Sequence, residues 1–139
     1  MAMAFLAGAL AGAIAMSGST LLTRRREGRG PYEQLVRTGL ARLAASDAHG
    51  AAAALGRACE VDSGDDAVYL LLAEQLRRAG DADRARHVID VVLARREQQP
   101  EIASAAWLVR GRLLEDDGRP RDALASYATA VEVDQKQSA

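Results

Sequence analysis

One pattern, written twice, constrains this chain more than any other. Tyr69, Ala73, Leu76, Gly80, Ala85, Ile89 and Val92 recur as Trp107, Gly111, Leu114, Gly118, Ala123, Tyr127 and Ala130, at shared offsets of +4, +7, +11, +16, +20 and +23. Apolar residues three and four apart form one stripe along a helix. The glycines fall where that helix must end, because glycine takes the left-handed C-terminal cap at little steric cost. Asp81 follows as a cap for the next helix. Pro120 suits a first helical turn, where its missing N–H has no partner to lose. Small residues on both helices (Ala73 and Gly111, then Ala85 and Ala123) let the backbones approach, while Ile89 and Tyr127 fill the space beside them. Each copy therefore predicts a helix, a turn and a second helix.

A fainter copy lies upstream. Aligned on Ala58, it places Leu35, Gly39, Ala51 and Leu55 on the same positions, but its turn, Ala45-Ser-Asp-Ala-His-Gly50, lacks the turn glycine. The copies begin near Tyr32, Asp66 and Ser104, and the four extra residues of the second spacing belong to a longer helix that Pro100 closes. The order of aromatic, small residue, turn glycine, alanine, bulky residue and alanine resembles the tetratricopeptide repeat. The resemblance spans residues 32–139, with repeats at about 32–65, 66–103 and 104–137. It implies an all-α, three-repeat solenoid of antiparallel helix pairs whose work is to bind other proteins.

Composition closes off other classes. Hydrophobic content of 49% with only 4% aromatics points to a core of alanine and leucine. No stretch alternates with period two among turn signals, so a sheet is not expected. The net charge of −1 divides into +3 over residues 1–30 and −4 over 31–139, and a mildly acidic repeat domain argues against nucleic acid as a partner. Cys59 has no second cysteine to pair with and falls on a packing position, which reads as a buried thiol. His49 sits in a turn, and His87 stands beside Arg84 and Arg86, away from any nucleophile. Glu115-Asp-Asp117 precedes Gly118 and reads as an exposed helix end. With no phosphate loop, metal-ligand spacing or nucleophile elbow, the chain is not expected to be an enzyme, and no catalytic residue, cofactor or metal is expected.

The amino terminus carries its own signal. Met1 to Thr23 holds no charge, and as a helix it would reach ~34 Å, enough for a hydrocarbon core of about 30 Å. Arg24, Arg25 and Arg26 follow at once, and by the positive-inside rule they stay cytoplasmic. The expected layout is a transmembrane anchor over 1–23, a basic linker over 24–31 and the repeat domain over 32–139. The chain would then be a single-pass protein of the inner membrane, with its N-terminus outside and its repeats in the cytoplasm. That layout is similar to bacterial membrane-tethered tetratricopeptide proteins, and abundant alanine and arginine fit a GC-rich bacterial genome. Gly8 and Gly12 form a Gly-xxx-Gly face for packing against another membrane helix. A cleaved signal peptide ending at Ala13-Ile-Ala15 is the competing reading; the missing basic start and the arginines after the apolar run oppose it.

The resemblance also implies where partners bind. First helices of such arrays line a concave groove, which here assigns Val36, Leu40 and Leu43, with Glu33 and Ala44, from copy one. Copy two supplies Leu70, Glu74 and Arg77, with Ala67 and Arg78. Copy three supplies Leu108 and Arg112, with Ala105, Glu115 and Asp116. Val36 and Leu40 stand where chaperone-binding members carry Lys and Asn, so a clamp for a terminal carboxylate is not expected. An amphipathic helix or an extended peptide with apolar anchors fits better. Arg77, Arg78, Glu115 and Asp116 also read as solvated helix ends.

Two functions follow. In the first, a membrane-anchored scaffold or adaptor uses the groove to assemble a membrane-associated complex, and Leu40→Glu or Leu70→Glu would release its partner. In the second, an accessory structural subunit packs its single helix among integral-membrane subunits, and Gly8→Ile with Gly12→Ile would eject it. No solvating helix follows the third copy, so Leu124 and Val131 leave an apolar edge open to a partner or a second copy. Homo-oligomerisation is thereby left open.

Overall fold

Each copy of the pattern is a pair of helices in the computed structural model, which describes residues 30–95 and 99–138. Helix α1 (30–44) pairs with α2 (Ala48–Val61), α3 (Asp66–Arg78) with α4 (Ala82–Ala94), and α5 (Pro100–Asp116) with α6 (Pro120–Ser138). Helix α1 meets α2 where Gly39 faces Leu55. From α2 onward each helix packs on the next, and α3 also touches α5, so these two first helices lie side by side.

The three intra-pair turns share one geometry. Gly80 and Gly118 adopt positive φ, +85° and +73°. The N–H of Gly80 bonds to the Arg77 carbonyl and that of Asp81 to Leu76; Gly118 and Arg119 repeat this with Glu115 and Leu114. Such paired bonds satisfy carbonyls that the helix end would otherwise leave open. Copy one makes the same turn without glycine. Ser46 takes φ +59°, with its N–H on Leu43 and that of Asp47 on Arg42. Asp47 and Asp81 then cap the following helices through the N–H groups of Gly50 and Arg84. A Cβ in this conformation costs about 1–2 kcal/mol, and glycine's extra freedom in the unfolded chain takes back roughly 0.5–1 kcal/mol of the gain on removing it. Ser46→Gly is therefore expected to raise stability by about 0.5–1 kcal/mol. Gly80→Ala or Gly118→Ala is expected to lower it by a similar amount, as read in urea unfolding.

The small residues sit where backbones meet. Ala51, Ala58, Ala73, Ala85 and Ala106 are fully buried, and Leu55, Leu72, Leu76, Ile89, Val92 and Leu113 fill the core between them. A Cβ on Gly39 would lie 2.7 Å from Leu55 Cδ2 and Cγ, and one on Gly111 would strike the Tyr127 ring. Gly39 with Leu55 and Gly111 with Tyr127 are thus the same small-against-bulky pair in copies one and three. Tyr69 and Trp107 each carry an arginine over the ring, Arg95 at 5.2 Å and Arg110 at 5.3 Å from the centroid.

The membrane layout is corrected here. Among the described residues no helix is long and apolar enough to cross a membrane. Spanning a bilayer takes about 20 mainly apolar residues. The longest described helix, α6, has 19 and carries Arg121, Asp122, Glu132, Asp134 and Lys136. The described fold is a helix-pair solenoid, and neither an N-terminal transmembrane helix nor single-pass placement in the inner membrane is carried forward. The anchor over 1–23, with Gly8 and Gly12 on its packing face, and the topology-setting Arg24, Arg25 and Arg26 lie outside the described residues.

Candidate functional site

The residues assigned to the groove divide into an apolar set and an interlocked polar set. On α1, Leu40 is 44% exposed, Leu43 is half-buried and Val36 packs in part against the core. Leu70 of α3 is likewise partly buried on the core, and Leu108 of α5 is 40% exposed. Leu40 and Leu108 are therefore the leucines of this set with the most surface to offer.

The polar set is brought together on α3 and α5. Glu74 accepts from Arg77 through both oxygens, at 2.9 Å from Nη2 and 3.1 Å from Nε, and from Arg78 Nε at 3.2 Å. Arg112 Nη1 of α5 stands 3.5 Å from the same Glu74 oxygen. Arg77 Nη1 reaches across to Asp116 at 2.9 Å. Beside them the Tyr127 hydroxyl donates to Glu115 at 2.9 Å. Burial alone would push the Glu74 carboxyl up. The bonds and charges of Arg77, the charge of Arg112 and the Arg78 bond outweigh that and hold it below the ordinary glutamate range. Bonds to Glu74, set against burial and joined by Asp116, push the Arg77 guanidinium up, so it keeps its charge.

This network is the feature that reading the residues singly misses. Glu74 and Arg112 hold the same position in successive copies with opposite charge, so the signal was present in the repeat register. Turning it into a contact requires knowing that α3 and α5 lie side by side. Arg77, Arg78, Glu115 and Asp116 are each joined to a partner, while Arg78 and Asp116 keep about half of their side chains in solvent.

Glu33 and Ala67, also groove positions by resemblance, border a different feature. They line a cleft of about 660 Å³ with Tyr32, Asp62, Asp65, Asp66, Gln99 and Ile102, at the starts of α1, α3 and α5. The Tyr32 hydroxyl donates to Asp65 at 3.2 Å; burial and the Asp65 charge push its pKa to about 12. Asp66 of this lining is paired with Arg95, whose Nε stands 3.0 Å away and whose Nη2 donates to the Ser63 carbonyl at 2.7 Å. Among the described residues no group of three or more His, Cys, Asp or Glu is arranged to hold a metal ion. Cys59 is buried, and that burial pushes its thiol to about 11. His49 and His87 are exposed.

Residues 42–108, from the end of α1 to the middle of α5, match the family model of the tetratricopeptide repeat. No curated protein matches the chain.

Proposed function

Because the chain belongs to the tetratricopeptide repeat family, a family of protein–protein interaction modules that is typically non-catalytic, we propose that it is a scaffold holding a protein segment along its first helices. The repeats are taken as residues 32–65, 66–103 and 104–137. The segment is an amphipathic helix or an extended peptide with apolar side chains, and its capture helps assemble a multiprotein complex. One observation supports this reading above the rest. Leu40 and Leu108 stand 44% and 40% exposed on groove positions, while the charged groove positions between them are occupied with one another. Apolar anchors then supply most of the affinity, as buried hot spots do elsewhere, and the arginine–glutamate network sets the floor against which a peptide lies.

The test is chemical cross-linking of the wild-type chain and of Leu40→Glu with Leu108→Glu in native extract, with cross-linked residues mapped. Recovery of one protein segment bridged to α1, α3 and α5, and its loss from the variant, is the expected result. Because both leucines are substantially in solvent, the variant should keep its helical content and unfolding midpoint. A partner that stays bound to the variant overturns the groove reading.

A further inference from the structure

Copies one and two show what the outer face of a second helix is for in this fold. In α2 that face carries Ala52 and Cys59, both buried, and Gly56, where an added Cβ would meet Leu72 of α3 at 3.9 Å. In α4 the equivalent residues border α5: Arg86 stands 3.9 Å from Asp117, and Asp90 3.8 Å from Arg110. The same positions of α6 are Leu124, Ala128 and Val131. Here Leu124 is 68% exposed and Val131 is 53% exposed. The face against which this fold stacks a helix is thus apolar in α6, and none of the described helices covers it.

The pattern on that face favours one occupant. Arg121, Leu124, Ala128, Val131 and Gln135 follow one another at spacings of three, four, three and four, the heptad seam of paired helices. Charge along the flank is polarised. Arg121 lies at the start of α6 and Glu132 towards its end, both exposed and neither in an ion pair among the described residues; Asp122, beside Arg121, is already taken by Arg119 at 2.7 Å. A parallel copy would set Arg121 against Arg121. An antiparallel copy sets Arg121 against Glu132 twice and lays Leu124 over the small Ala128 of the second copy. We infer that two copies of this chain associate through α6 in an antiparallel, two-fold pair. The groove positions lie on α1, α3 and α5, so the pair presents two grooves at once and gains avidity for a repeated or dimeric partner.

A seam this short falls below the ~1,200 Å² of a standard interface, and its dissociation constant is expected on the order of 100 μM. Sedimentation equilibrium of the full chain tests it. Leu124→Glu with Val131→Glu is expected to weaken association about tenfold or more. Arg121→Glu and Glu132→Arg are each expected to weaken it about fivefold, and combining them should restore it to within about threefold of wild type. These side chains are exposed, so circular dichroism should show all four variants folded. A chain that stays monomeric at concentrations ~10-fold above that constant overturns the inference. Association that survives Leu124→Glu with Val131→Glu also overturns it and moves the contact elsewhere. Failure of the charge exchange to restore pairing overturns the antiparallel arrangement.

Discussion

Leu55→Ala is expected to remove about 2–5 kcal/mol of stability, a large share of the roughly 5–15 kcal/mol that a domain of this size holds. Leu55 is fully buried, and its branch lies over Gly39 of α1. Tyr32, Leu35 and Val36 of α1 are only partly buried on the core, so few other contacts replace those Leu55 loses. Amides of α1 should therefore lose exchange protection before those of α3 to α5. Gly39→Ala approaches the same contact from the other side. The added methyl gains about 1 kcal/mol of helix propensity, yet it must push aside a side chain with no exposed surface, which costs about 1–3 kcal/mol. A net loss is expected. In the Leu55→Ala background the sign reverses, because the methyl then enters the space the leucine left. Denaturant unfolding of the two single variants and the double variant measures this coupling. If the double variant is no more stable than Leu55→Ala, Gly39 and Leu55 do not meet as described.

Glu74→Ala is expected to cost about 1.5–3 kcal/mol, the range for bonds to charged groups left without a partner. Glu74 has 14% of its side chain exposed and Arg77 has 21%, so solvent replaces little of what is lost. The pH dependence carries the diagnosis. The arginines hold the folded carboxyl below its ordinary value of 4.5. The stabilisation is therefore fully present above the unfolded pKa and is lost as pH falls through the folded one. The stability gap between wild type and Glu74→Gln should be flat at neutral pH and should close on acidification below 4.5. A gap that stays constant down to the acid transition would show that packing, and not the carboxylate charge, is what Glu74 supplies. Glu74→Ala also leaves Arg77 and Arg112 without the carboxylate they share on the proposed groove, so it should alter which peptides bind.

Local rules carried much of this fold. Gly80 and Gly118 take the left-handed turn, Asp81 caps α4, Pro120 opens α6, and Cys59 is buried, all as the residues themselves predict, whereas Pro100, expected to close a longer second helix, opens α5 after α4 has ended at Ala94, its missing N–H costing nothing in a first turn. These features depend on neighbours within a turn or two, and their physical causes are written next to them in the chain. The anchor expected from an uncharged run of 23 residues shows the limit of such reasoning, since apolar length is a property of composition and says nothing of what the segment lies against. Ser46 is a second case. Its turn carries capping residues but no glycine to favour the left-handed conformation, and Ser46 takes positive φ where α1 and α2 close as the other pairs do. The Glu74–Arg77–Arg112–Asp116 network is a third, joining residues 38 and 39 apart along the chain. Helix period and caps are set by local sterics and hydrogen bonds, whereas contacts between repeats are set by how one packed pair seats the next.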